Sequence, residues 1–361
     1  MPKVIFNRKA DFFNSLKKSV DNYFTTNNIK KTGNWELYAK TLVLVPMAIA
    51  LYVSVLVVPM HGAIALGLCV LFAVVAASIG FNVMHDACHG SYSSKKWVND
   101  LVGLSINALG GNAYIWKFKH NVIHHTYTNI EGLDDDIHKH PILRMCSSQS
   151  WKPAHQFQYI YMFGAYALSS ITWMLMFDYI KYFSRKIVVS DMPAMTTLDH
   201  VTFWVSKALY LVFYIGIPIY FVGTLNWFIG FMSMHAVLGL ILALVFQLAH
   251  VVEETKFETA HTEEVHIANE WAVHQLSGTA NFARDDKFIS WYVGGLNYQI
   301  EHHLFPRISH VHYPALSEIV KAKCEEFGID YNESPTMWTA TLSHIKLMKQ
   351  LGKKPVVAVA A

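Results

Sequence analysis

Two long stretches of this chain hold no charge at all. From Thr41 to Met84, and again from Ala208 to Val252, there is no Asp, Glu, Lys or Arg over 44 and 45 residues. Charged residues make up only 15% of the whole, which sets a soluble globular fold at a disadvantage. The four cysteines, Cys69, Cys88, Cys146 and Cys324, form no CxxC pair, so neither a disulfide framework nor a zinc ribbon is expected. The net charge of +3 is small, and basic residues gather beside apolar runs, so nothing asks for nucleic acid. No cleavable leader is expected, because residues 1–40 are charged and polar.

What is present begins with those runs. A helix crosses a bilayer with about 20 apolar residues, so each run predicts a hairpin of two spans. Pro59, His61 and Gly62 break the first run, and Gly223, Thr224 and Asn226 the second. The predicted spans are about 41–59, 63–84, 203–222 and 226–249. Residues 1–40 carry eight Lys or Arg and the two hairpin turns none, which places the N-terminus in the cytoplasm. The apolar stretch 101–116 is too short to span and predicts an interfacial helix. The stretch 153–177 is uncharged but holds Gln156, Gln158, Ser169 and Ser170. If the residues on either side of it share one site, an even number of crossings separates them. It then lies on or dips into the membrane, or forms a re-entrant pair of short helices.

The expected fold class is therefore an all-α integral membrane protein. Four transmembrane helices form two hairpins, with interfacial helices and a cytoplasmic helical cap holding a di-metal site. Residues 1–40 are the cytoplasmic N-terminal segment, 41–314 the membrane domain and 315–361 a cytoplasmic helical segment. The closing apolar tail, 355–361, is too short to anchor anything.

Twenty histidines are present, and their spacing matters more than their number. His85 and His89 stand in HDACH; His120, His124 and His125 in HNVIHH; Gln299, His302 and His303 in QIEHH. On a helix, positions i and i+4 share a face, so His85 with His89, and His120 with His124, can hold a common ion. His124 and His125 diverge by about 100° and can serve two neighbouring ions. One HxxxH arises easily by chance, and a single interfacial His is more often a hydrogen-bonded surface group. Three clusters, each just beyond an apolar segment, form a different case. Seven imidazoles exceed the four ligands of one tetrahedral ion, so two ions are expected; imidazole alone does not choose among iron, zinc, copper and nickel. Asp86, Glu301 and Asp134 to Asp136 are placed to accept the second ring N–H of such histidines, although the aspartate triplet reads equally as a solvated turn.

The three boxes and their flanking hairpins resemble the membrane fatty acyl desaturase family from Lys40 to Pro314. The phrases HDACHGSYS, HNVIHHTYTNIEGLDDDI and LNYQIEHHLFP are similar to the front-end acyl branch, where Gln opens the third box. The resemblance implies two iron ions held by His85, His89, His120, His124, His125, His302 and His303. Gln299 stands where other branches place a histidine, and either ligates or only hydrogen-bonds a neighbour. It also implies a ligand histidine shortly after the last span; His250 fits that role best, with His274 its rival. His235, near mid-span, either lines a substrate passage or bonds a neighbouring helix.

The implied reaction uses O2 and two electrons to place a cis double bond in a fatty acyl chain, carried as an acyl-CoA or acyl-lipid. It is an oxidation of front-end type, with Trp116 and Tyr127 as candidate lining residues. An alkyl chain offers no acidic proton, so the cofactor does the hard chemistry and the protein places the carbon pair. Many relatives carry a fused cytochrome b5 domain with an HPGG motif, whereas the one His-Pro pair here is His140-Pro141. A separate ferredoxin or cytochrome b5, with its reductase, is therefore the expected electron donor. The expected location is a bacterial inner membrane or the endoplasmic reticulum, with the active site and both termini cytoplasmic. A membrane hydroxylase on the same scaffold is the nearest alternative. A metal transporter is a more distant one, since transporters set their ligands near mid-bilayer.

Overall fold

The computed structural model describes residues 2–139, 141–260 and 262–355; His140 and most of the closing tail lie outside them. Among the described residues, five helices are long and apolar enough to cross a membrane: Trp35–Val57, Gly62–His89, Pro153–Ser184, Thr197–Val222 and Thr224–His250. Their outer faces leave Leu42, Ile49, Val53, Leu209 and Phe228 exposed, as lipid-facing helices do.

The helices begin earlier than composition predicts because caps, not charges, start them. The Asn34 side chain accepts from Glu36 N at 2.9 Å, and Thr196 forms a reciprocal box with Asp199. Glu36, Lys40 and Asp199 consequently lie inside their helices. The first hairpin turns at Pro59 as expected. The second turns on Gly223 alone, at φ +79°. Thr224 and Asn226 fall in the next helix, where Asn226 Nδ2 donates back to Val222 O at 2.9 Å.

The Pro153–Ser184 helix is unbroken apart from a π-turn at Trp173–Phe177, so no re-entrant pair of short helices forms. It packs backbone to backbone on Thr224–His250: a Cβ on Gly239 would lie 2.6 Å from Tyr166 O and 2.8 Å from Ala167 O. One end is tied through Gln158 Nε2 to Met348 O at 2.8 Å, and the other through Lys181 Nζ to Asp135 at 2.7 Å. Between them lies a buried ion pair, Lys207 Nζ to Asp178 at 2.7 Å. Lys207 also donates to Gly110 O at 2.7 Å and Met174 O at 3.0 Å, and Trp173 Nε1 donates to Asp178 at 2.9 Å. This knot joins three segments.

Residues 101–116 differ from the single interfacial helix expected. Lys96–Gly103, Ser105–Ala108 and Ala113–Lys117 are separate short helices. Gly110, at φ +100°, makes the break, and a side chain there would strike Tyr210.

The remainder is a polar layer of helices: Asp11–Thr26, Trp271–Ser277, Gln299–Leu304, Tyr313–Phe327 and Met337–Leu351. Among the described residues, short two-stranded pairs join parts of this layer, and a local hairpin pairs Lys186–Ile187 with Ser190–Asp191. Lys3–Phe6 runs parallel to Glu264–Ile267, and Ile130–Glu131 to Glu258–Thr259. The second pair fastens the segment after His125 to the segment after His250.

Candidate metal centre

The first two boxes reach the site through π-turns. Gly80–Met84 is π-helical and passes directly into His85–His89, which stops at Gly90 in a left-handed conformation. Phe118–His124 is also π-helical. A π-turn repeats at i+5 rather than i+4, and this alters the expected pairing. His120 Nε2 lies 3.3 Å from Nε2 of His125, five residues on. It lies equally close to His85 Nε2. His124 stays beside His120, their rings near-parallel at 5.3 Å.

All seven box histidines and His250 converge. His85, His89, His120 and His302 form one group; His124, His250 and His303 a second; His125 adjoins the two through His302 and His303. Within each group the ligand atoms lie within 4.8 Å of one another, and every member is buried. His274 stands apart, its Nε2 2.9 Å from Thr128 O.

The tautomers of the second group are legible. His124 Nδ1 donates to Asp134 at 3.1 Å, His250 Nδ1 to Gly278 O at 3.2 Å, and His303 Nδ1 to Gln275 Oε1 at 2.8 Å. A proton on Nδ1 leaves the lone pair on Nε2. In all three rings Nε2 is buried and unpartnered among the described residues, as it is in His89 and His302. Leaving one buried polar atom unsatisfied costs about 1–3 kcal/mol. Five unpartnered Nε2 atoms within adjoining histidine groups fit the ligand sets of bound metal ions.

Electrostatics agree. Burial, and then the neighbouring histidines, hold His120, His125, His302 and His303 well below the ordinary imidazole range, so they are neutral donors. His124 differs: burial lowers it, but Asp134 and Asp136 outweigh that and raise it overall. Asp134 thus both shapes its turn, accepting Asn129 N and Asp136 N at 3.0 Å, and orients His124. Asp134→Asn is expected to keep the fold and weaken metal retention about 10–100-fold, measured by iron content during chelator challenge.

The other two acidic candidates have different partners. Asp86 accepts from Ser309 Oγ at 2.6 Å and lies 3.1 Å from His310 Nδ1; Lys40 Nζ lies 3.1 Å from the far nitrogen of that ring. Glu301 binds Asn281 Nδ2 at 2.8 Å and the Tyr331 hydroxyl at 2.9 Å, and burial pushes it up to about 7. Neither touches a box histidine; each braces a box from behind. Gln299 is buried with both amide atoms unpartnered. Trp116 stacks on His120 at 4.4 Å, while Tyr127 is half-buried between two apolar clusters. His235 bonds the helices around it, Nδ1 with Ser170 Oγ at 2.9 Å and Nε2 with Tyr210 OH at 2.7 Å. Gln275, Tyr313, whose hydroxyl lies 3.2 Å from His302 Nδ1, and the Gly278 carbonyl carried no signal in the sequence.

Apolar helices that carry a buried, two-lobed imidazole cluster point to a membrane protein whose histidine cluster could hold metal. The chain belongs to the fatty acid desaturase family, whose model matches residues 61–335. It is 34% identical to the sn-1 linoleoyl-lipid 6-desaturase of a Synechocystis species, covering 97% of this chain and 98% of that one. To the enzyme of the same name from Arthrospira platensis it is 35% identical, over 98% and 96%. To the acyl-lipid (8-3)-desaturase of Physcomitrium patens it is 32% identical, over 95% of this chain and 72% of that one. The protein is a fatty acyl desaturase, an oxidoreductase acting on acyl lipids, and front-end enzymes are among its relatives.

Proposed function

We propose that this desaturase places a cis double bond at carbon 6 of a lipid-bound linoleoyl chain, using O2, two electrons and two histidine-held iron ions. The observation that carries the reading is the pair of adjoining imidazole groups with unpartnered Nε2 atoms. The position on the chain follows the names of the two cyanobacterial relatives, which align end to end with this one. His85, His89, His120 and His302 would hold one ion, and His124, His125, His250 and His303 the other; Gln299, buried in the third box, either ligates or hydrogen-bonds a neighbour. When bound, such a pair supplies the O2-derived oxidant that takes hydrogen from two adjacent carbons.

The protein's part is placement. Trp116 walls the first group and keeps water from it. Asp134, Gln275 and the Gly278 carbonyl fix the rings of the second group, so that ligation needs no rearrangement.

Four helices cross the membrane, Trp35–Val57, Gly62–His89, Thr197–Val222 and Thr224–His250, with the site and both termini on the cytoplasmic side. The basic N-terminal forty residues and the uncharged hairpin turns support that orientation. The Pro153–Ser184 helix lies along the site's own face of the membrane and does not cross it; the ties from Gln158 and Lys181 at its two ends to the polar layer support that placement.

The test is expression in a host without polyunsaturated lipids, supplied with linoleate, with double bonds located by mass spectrometry. A new bond at carbon 6 of the lipid-bound chain is expected. A bond elsewhere overturns the position, an alcohol indicates a hydroxylase, and no product with iron-loaded protein overturns the whole reading.

A further inference from the structure

Removing two hydrogens while reducing O2 to water leaves an electron deficit: R–CH2–CH2–R′ + O2 + 2 e− + 2 H+ gives R–CH=CH–R′ + 2 H2O. The electrons must come from a reduced carrier outside the chain, so the surface has to offer it a place near the histidines. This step rests on the desaturase reading above.

Trp271 marks one such place. Its indole Nε1 donates to the backbone carbonyl of His125 at 3.2 Å, while the side chain is only half-buried. Among the described residues it is the aromatic ring that both reaches solvent and bonds the main chain of a site histidine. Phe13 meets it edge-on at 5.5 Å and stacks on Phe305 at 5.9 Å; Phe305 lies two residues beyond His303, the end of the third box. Phe13 is held there by Glu270, whose carboxylate accepts its backbone N–H at 2.9 Å. The result is an aromatic seam at the outer edges of boxes two and three, in which Phe13 and Trp271 are half-buried over a buried Phe305.

Cations rim this face. Asn7, just before Arg8 and Lys9, is bonded to Asn269 O at 3.0 Å and Ala268 O at 3.1 Å, two and three residues before Trp271. Lys17 follows Phe13 by one helical turn, and Arg307 follows Phe305 by two residues. All four are exposed, and Asp11 is the one exposed acid within the same stretch of the Asp11–Thr26 helix beside Phe13. An apolar centre with a basic rim suits an acidic partner, since rim charges steer approach and set its register.

We propose that an acidic one-electron carrier protein docks on the Phe13–Trp271–Phe305 face, and that Trp271 is the group through which its electrons reach the histidine cluster. Each docking oxidises one carrier by one electron, so two dockings serve each double bond. The bonded path from indole N–H through the His125 carbonyl favours this point over contacts across open space.

The probe is an acidic two-iron ferredoxin. Its affinity for the detergent-solubilised, metal-free protein is measured at two salt concentrations, against the triple variant Lys9→Glu, Lys17→Glu, Arg307→Glu. The variant is expected to bind at least about tenfold more weakly at low salt and to lose most of the salt dependence. In iron-loaded protein, Trp271→Phe is expected to slow reduction at saturating ferredoxin while iron content stays at the wild-type level. Unchanged affinity in the triple variant, or unchanged reduction in Trp271→Phe, overturns the inference. Loss of binding to anionic vesicles with ferredoxin affinity intact also overturns it, since the rim then serves lipid. Wild-type protein given dithionite separates the two questions: if no double bond forms even then, the desaturase reading itself has failed.

Discussion

Alanine at His250 is expected to remove desaturation below detection and to lower the iron bound by purified protein, whereas His274→Gln is expected to keep both. In the sequence both are candidates for the ligand after the last span, His250 at the end of that span and His274 further on, and both are buried in the structure. Their surroundings separate them. His250 donates from Nδ1 to Gly278 O and leaves Nε2 without a partner beside His124 and His303. His274 spends its Nε2 on Thr128 O and packs against Phe6 at 5.4 Å. Losing a group that merely orients a ligand costs about 10–100-fold in metal affinity, so losing a ligand costs at least as much. At position 274, glutamine retains a donor for Thr128 O and gives up only ring packing. Iron content and product formation, measured on both variants in parallel, check the pair. Full activity in His250→Ala would remove it from the centre.

The second large effect concerns stability. Lys207→Met is expected to destabilise the protein by about 3–5 kcal/mol, because it strands the Asp178 carboxylate in an apolar setting. Both side chains are almost wholly inaccessible, at 3% and 1% exposure. Lys207 also satisfies two carbonyls, on Gly110 and Met174, so its loss leaves three acceptors short. Adding Asp178→Leu to Lys207→Met should recover part of the deficit, since no charge is then left to solvate, while Gly110 O, Met174 O and Trp173 Nε1 still lose these partners. Thermal inactivation of the single and double variants in one detergent reads the difference. Equal half-lives would mean that the aspartate is already neutral.

How much of this was legible in the sequence depends on the physical signal. Charge-free runs disclose apolar helices because hydrocarbon tolerates little else, and the Thr41–Met84 and Ala208–Val252 runs were unambiguous. Helix starts were not, because Asn34 and Thr196 act through local hydrogen bonds that composition does not register. The box histidines were legible from spacing, yet the reason for box two was not the expected one. An α-helix pairs His120 with His124, and the π-turn pairs His120 with His125 as well. Acidic neighbours misled for a different cause: adjacency to a histidine in the chain says nothing about which ring nitrogen a carboxylate meets. Asp86 and Glu301 adjoin box histidines yet serve His310, Ser309, Asn281 and Tyr331, while Asp134, nine residues beyond box two, finds His124. Gln275 and Gly278 arrive from a distant segment, and only the folded chain brings them there.

The wide turn at Phe118–His124 behaves as an ordinary helix that has swallowed one surplus residue. Shortening it by a single position between Phe118 and His120 would leave HNVIHH intact as text. The coil would tighten, swinging the second box by about 100° relative to its upstream anchor at Trp116. A motif search would still recognise the altered protein, although its rings would no longer meet.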